Sequence, residues 1–242
     1  MIIDSHVHIK GGDFFRHQFD PDETVKMLDA AGIDKACVFS ICLPSWESNE
    51  LTRRAVTGRE DRLIPYAHVF PLEGDVAVES LRVAIEEWGF RGLKLHIGEV
   101  PGEVSAETFL PFVKQAGELN VPVLLDCIDR PDVLKGCAEG APSAKIISAH
   151  LGSMTDQFMV DQFLGICRTY DNVWLDTSYS SVPWKIRDAV RYCGASKIIF
   201  GSDGCAGYYP ASIEVAKLRA YISCERDLEL IMHENIRALV FG

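Results

Sequence analysis

Short apolar runs alternate with longer amphipathic stretches along the whole chain. The runs at 1–9 (MIIDSHVHI), 35–40 (KACVFS), 63–71 (LIPYAHVFP), 90–97 (FRGLKLHI), 121–127 (VPVLLDC), 144–151 (AKIISAHL), 172–178 (NVWLDTS) and 197–203 (KIIFGSD) have strand length and strand composition. Between them apolar residues return at helical spacing over about 22–31, 47–59, 76–88, 106–119, 132–139, 159–169, 183–193 and 210–221, with a last helix near 227–240. Asp22 and Glu23 supply acidic residues to a first helical turn, and Gly32 and Gly89 stand where helices end. Eight strand–helix units in strict order predict an α/β protein with a closed parallel (β/α)8 TIM barrel; an open, doubly wound sheet is the competing arrangement. No linker, low-complexity stretch or short repeat interrupts the alternation, so 1–242 reads as a single domain.

Composition narrows the function classes. Hydrophobic residues make up 48% of the chain and charged residues 24%, values that support a packed core and exclude wholesale disorder. A net charge of −11 without any Lys/Arg cluster argues against nucleic acid and anionic membranes as partners. No apolar run is long enough to span a bilayer, and no charged leader precedes one, so the expected location is cytoplasmic. The eight Cys are scattered singly, as reduced thiols would be, rather than paired in a disulfide framework. The expected partner is a small-molecule substrate, with a homo-oligomer left open.

Chemistry enters with Asp4-Ser5-His6-Val7-His8. Alternate strand residues share a face, so Asp4, His6 and His8 should point the same way, and two imidazoles on a rigid strand form one lobe of a divalent metal site. The competing explanation is a chance pair of polar strand residues. Against it, polar groups recur at the ends of other strands: Lys94 and His96 on strand four, Asp126 on five, His150 on six and Asp203 on eight. Catalysis in such barrels sits where the strands end, and polar groups there would be costly in a merely packed interior.

These motifs, with Gly92-Leu93-Lys94-Leu95-His96, Ala149-His150-Leu151-Gly152, Phe200-Gly201-Ser202-Asp203 and the closing segment Ile231 to Leu239, make the chain resemble the metal-dependent amidohydrolase superfamily. The resemblance is to the branch called amidohydrolase family 2, which contains hydrolases, lactonases and nonoxidative decarboxylases. It implies His6 and His8 as metal ligands, Asp203 as a ligand or as the base for a nucleophilic water, and His150 as a ligand or charge-stabilising group. One divalent ion is implied, zinc first, with manganese or iron as alternatives. One departure matters: relatives commonly end strand five with a ligand His, where this chain has Asp126. Asp126 could ligate the metal itself or contact substrate.

Lys94 reads as an ammonium paired with Asp203, Asp126 or a substrate carboxylate, with carbamylation as the bolder alternative. His96 is a candidate proton donor, substrate anchor or substitute ligand. His68 is expected to be structural, and His17 and His233 carry no assigned role. Cys205 lies near Asp203 without a visible base, and Trp46, Trp184, Tyr208 and Tyr209 could wall a pocket. The resulting expectation is a metal-dependent hydrolase that cleaves an amide, ester or lactone of a small polar molecule. Asp203, His150 and His96 carry its catalysis, Lys94 and Asp126 its substrate binding, and His6, His8, Asp126, His150 and Asp203 its metal. The same parts could instead run nonoxidative decarboxylation of a small carboxylic acid, and a non-catalytic ligand-binding barrel is the reading from outside enzymology.

Overall fold

A computed structural model describes residues 1–10, 21–206 and 209–242; His17, Tyr208 and the Gly11-Gly12 pair lie outside them. The elements run β1 (Ile3–Lys10), α1 (Pro21–Ala31), β2 (Lys35–Ser40), α2 (Ser45–Val56), β3 (Leu63–Pro65, resuming at Ala67–His68), α3 (Asp75–Glu86), β4 (Leu93–His96), α4 (Ala106–Glu118), β5 (Pro122–Asp126), α5 (Pro131–Gly140), β6 (Lys145–Ser148), α6 (Gln157–Thr169), β7 (Val173–Asp176), α7 (Trp184–Cys193), β8 (Ile198–Ile199, resuming at Gly204–Cys205) and α8 (Ser212–Tyr221). A terminal helix follows in three parts: α9 (Glu225–Glu229), a π-helical turn (Leu230–Glu234) and α10 (Asn235–Phe241).

The strands form a closed parallel barrel, with two of them shared between neighbours. The first piece of β3 pairs with β2 and the second with β4. The first piece of β8 pairs with β7, and the second closes the ring on β1 through Val7↔Gly204 and His8↔Cys205. Both breaks have local causes. Pro65 can donate no ladder bond in β3, and β8 turns at Asp203, whose φ is +58°. The open-sheet alternative is thereby excluded.

Strand parity sorts the apolar residues into two clusters. Ile3, Cys37, Phe39, Ile64, Tyr66, Leu124, Ile147 and Ile199 fill the barrel, joined by Ile236, Leu239 and Val240 of α10, while the outer strand faces pack against the helices. One expectation of shared orientation fails here. The register of β1 against β2 shifts between Asp4 and Val7, which carries Asp4 out of phase with His6 and His8. Its carboxylate instead accepts the backbone amides of His6 (3.0 Å) and Ser202 (2.9 Å), tying β1 to the end of β8. On the other side of that seam, Phe200 accepts the Ser5 amide (3.0 Å) and donates its own to Ile231 in the π-helical turn (2.9 Å).

After β6 the backbone enters a left-handed turn at His150 (φ +60°), Leu151 (+52°) and Gly152 (+86°). Two non-glycine residues in that region cost energy that the surroundings must offset, and the turn lifts His150 over the barrel mouth. A Cβ on Gly152 would meet the Phe163 ring at 2.0 Å, so only glycine fits. Gly152→Ala should therefore cost roughly 3 kcal/mol through strain and overpacking. A thermal melt checks this, and an unchanged transition would show that α6 can yield.

Candidate active site

His6, His8, Lys94, His96, Asp126, His150 and Asp203 all converge at the C-terminal mouth of the barrel. Two residues that the sequence reading passed over organise them: Asp176, closing β7, and Ser178. Asp176 is fully buried. Its Oδ2 accepts from His6 Nδ1 (2.9 Å), and its Oδ1 accepts from the amides of His150 (2.8 Å) and Ser178 (2.9 Å) and from the Ser178 hydroxyl (2.5 Å). These donors hold its pKa below the usual range despite burial, the largest single influence, which acts to raise it.

The carboxylate of Asp176 fixes the proton of His6 on Nδ1 and leaves the Nε2 lone pair turned into the site. Burial, and then the nearby Lys94 ammonium, lower the pKa of His6 to about 4, so the ring is neutral at pH 7. That lone pair faces Asp203 Oδ1 at 3.2 Å, and the same oxygen lies 2.9 Å from His8 Nε2. An acceptor thus confronts an acceptor, an arrangement that calls for a cation between them. Ligand atoms of His6, His8 and Asp203 all lie within 4.8 Å of one another, and His6, His150 and Asp176 form a second such group. Every polar atom of Asp176 is already engaged, so the first group is the one whose donor set fits a divalent ion.

Asp126 stands in the opposite situation. Its Oδ2 is 3.3 Å from His150 Nε2, 3.3 Å from His96 Nε2 and 3.9 Å from Lys94 Nζ. His96 accepts the Gly98 amide on Nδ1 (2.9 Å), which places its proton on Nε2, toward Asp126. His150 faces acceptors on both ring nitrogens, the Ser178 carbonyl at 3.1 Å and Asp126 at 3.3 Å. Two acceptors require two N–H donors, hence an imidazolium. Its electrostatics agree: burial lowers the pKa, but Asp126 foremost, then Asp203 and Asp176, outweigh it and push it up to about 9. Burial would raise the Asp126 carboxyl, yet His96, His150 and Lys94 hold it well below the usual carboxylate range. Asp126 belongs to neither convergent ligand group.

The remaining candidates are peripheral. His68 is buried at the end of β3, its amide held by Asn49 (2.8 Å) and its Nε2 2.6 Å from Glu99 Oε2. Glu99 had no signal in the sequence beyond following His96 in a loop. With Cys42, Leu43, Pro44, Phe70 and Glu73 it lines a cavity of about 400 Å³. Trp46 packs edge-on against Trp88, Tyr209 against Tyr179, and Trp184 opens α7. Among the described residues no disulfide joins any of the cysteines, and no helix is long and apolar enough to cross a membrane.

An α/β barrel with imidazoles and carboxylates gathered at its C-terminal mouth is the architecture of metal-dependent amidohydrolase-type enzymes. The model of the Amidohydro_2 amidohydrolase family matches residues 3–241, and the chain belongs to that family. No curated protein matches it. Among solved structures it is similar to a 2,6-dihydroxybenzoate decarboxylase complexed with 2,6-dihydroxybenzoate, at 18% identity and TM-score 0.77 over 99% of this chain and 98% of that one. A second likeness is to a probable 2-pyrone-4,6-dicarboxylic acid hydrolase from Acinetobacter baumannii with citric acid bound (16% identity, TM-score 0.75, 100% and 99% of the two chains). A third is to a dihydroxybenzoic acid decarboxylase from a Polaromonas species with bound manganese and the inhibitor 2-nitroresorcinol (17%, 0.74, 99% and 96%). At these identities the likeness establishes the fold.

Because Asp126 is the strongest upward influence on His150, Asp126→Asn should bring the His150 titration back down toward the ordinary imidazole range. An NMR pH titration of the His150 ring reads this directly. A midpoint that stays near its original value would mean that Asp203 and Asp176 suffice to hold the imidazolium.

Proposed function

We propose that the protein is a metal-dependent nonoxidative decarboxylase of a small carboxylic acid, an aromatic hydroxy acid before others. The observation that carries this is the setting of His150, whose two ring nitrogens face the Ser178 carbonyl and the Asp126 carboxylate and so carry two protons. Hydrolysis needs a group that draws a proton from water near neutral pH. Asp203, the base in the hydrolase scheme, is a poor one. Burial would raise its pKa, but the His8 ring, with Nε2 at 2.9 Å, and the His150 imidazolium hold it well below the usual carboxylate range. Decarboxylation instead leaves an electron pair on carbon that must be protonated, and the His150 imidazolium can give that proton. The likeness to two decarboxylases lends support.

In this scheme His6, His8 and Asp203 hold the ion. A divalent cation there would supply the fixed positive charge on which an anionic substrate oxygen is held. Asp176 orients His6 through Nδ1 and His150 through its backbone amide, so the ligand and the acid are set by one carboxylate. Asp126 keeps His150 protonated and holds His96 with its Nε2 proton inward, and does not ligate the metal. Burial of Asp126, Asp176 and His150 keeps bulk water from competing for the proton. Hydrolysis of a lactone is the second reading, favoured by the likeness to the 2-pyrone-4,6-dicarboxylic acid hydrolase.

A panel of hydroxybenzoates, other aromatic acids, lactones and amides, followed by CO2 release and product analysis, tests the assignment. Turnover of a lactone or amide without CO2 release would overturn it. On the decarboxylated substrate, His150→Gln should lower kcat by ~10²–10⁴. Since His150 acts protonated and its pKa is about 9, activity should hold through neutral pH and fall above that value. A rate that instead rises through pH 9 would require His150 as a base.

A further inference from the structure

Lys94 is fully buried inside β4, beneath the group of residues read above as metal ligands. Its Nζ donates to His6 Nε2 at 3.1 Å, lies 4.9 Å over the face of Phe39, and stands 3.9 Å from Asp126 Oδ2. The last is an ion-pair separation rather than a hydrogen bond. Burying an ammonium is expensive unless it is paired, so its placement has to be explained by what it touches. It touches the one atom on His6 that a metal would need.

We propose that the Lys94 ammonium and a divalent cation compete for Nε2 of His6, so that metal entry displaces Lys94 onto Asp126. The inference rests on the metal reading of His6, His8 and Asp203. Its core is a count of electron pairs. His6 Nδ1 gives its proton to Asp176, so the ring has a single in-plane lone pair, on Nε2. One lone pair serves the Lys94 N–H or a metal, not both. The displaced ammonium has a destination, because Asp126 Oδ2 needs less than an ångström of approach to become a hydrogen-bond acceptor for it. No proton is gained or lost in the exchange: the lysine trades one acceptor for another. Before metal arrives, the tethered cation offsets the charge of Asp203 and Asp126 and keeps the acceptors of the site from repelling one another. After it arrives, the remaining positive charge weakens the ion's hold.

The test uses the purified protein stripped by chelator and titrated with zinc and with manganese, alongside Lys94→Met and Lys94→Gln, which remove the charge and leave a side chain one atom shorter. Both variants should bind the first equivalent roughly tenfold to hundredfold more tightly than the unaltered chain. The rise in Tm on adding metal should be larger in both. Equal or weaker binding in the variants overturns the proposal while leaving the metal reading intact. Bicarbonate-strengthened binding in the unaltered chain that the variants lose also overturns it, since Lys94 would then act as a carbamate ligand. Failure of all three proteins to bind a stoichiometric ion overturns the metal reading itself, and this inference with it. A crystal structure of the ion-loaded unaltered protein gives a check that needs no substitution. Lys94 Nζ should have left His6 for Asp126, and an ammonium still on His6 beside a bound ion would refute the competition.

Discussion

The carboxylate of Asp176 is the constraint on which the rest of the site depends. It takes four donors from three parts of the barrel mouth, the His6 ring from β1, the His150 amide after β6, and the Ser178 amide and hydroxyl after β7. Each of these would otherwise be an independent side chain or loop with its own freedom. A buried anion with so many partners fixes geometry and tautomer together. Rotating His6 would expose an unsatisfied N–H inside the protein, and moving the His150 backbone would strand a buried charge. Both penalties are of the kind that native structures avoid. The carboxylate is therefore the reason that the lone pair of His6 and the two N–H groups of His150 point where the chemistry needs them.

From that constraint follows a division of labour between Asp203 and Asp126, two carboxylates that look alike in a sequence. Asp203 faces a lone pair and Asp126 faces N–H donors. The difference is set by small backbone details: the Gly98 amide that occupies Nδ1 of His96, the Ser178 carbonyl that accepts from His150, and the left-handed φ that swings Asp203 off the line of β8. In the proposed scheme cation binding belongs with the first carboxylate and proton storage with the second. A site whose positive and negative roles are separated in this way can hold an anionic substrate and protonate it without asking one residue to do both.

Much of this was legible in the chain because each site residue closes or follows an apolar run, and in a parallel barrel all such runs end at one face. The barrel, its eight strands, and His6, His8, Lys94, His96, Asp126, His150 and Asp203 came from that rule. Asp176 obeys it too: Val173-Trp174-Leu175-Asp176 repeats the pattern of Val123-Leu124-Leu125-Asp126, and Asp126 stood out because the family resemblance puts a ligand at the end of strand five. Asp4 was misplaced because alternation assumes an unbroken ladder, and a register shift lies between it and Val7. The pairing of His68 with Glu99 joins residues 31 apart and no local pattern encodes it. The choice between hydrolysis and decarboxylation was not legible in the chain, because acid and base character depend on which atoms carry protons, and that is decided by tertiary neighbours rather than by residue type.

The π-helical turn has a mechanical side. Through Phe200 it grips β8 at the point where that strand leaves the ladder, while the carbonyl of the same residue holds β1. The first strand, the last strand and the terminal helix thus meet at one residue, three positions before Asp203. A load applied along α10 would pass through this stitch to the strand that carries the carboxylate. The terminal helix is in effect a lever on the mouth. Whatever stiffens it, a fused partner or a second subunit packed along it, would also stiffen the distance between Asp203 and the imidazoles of β1.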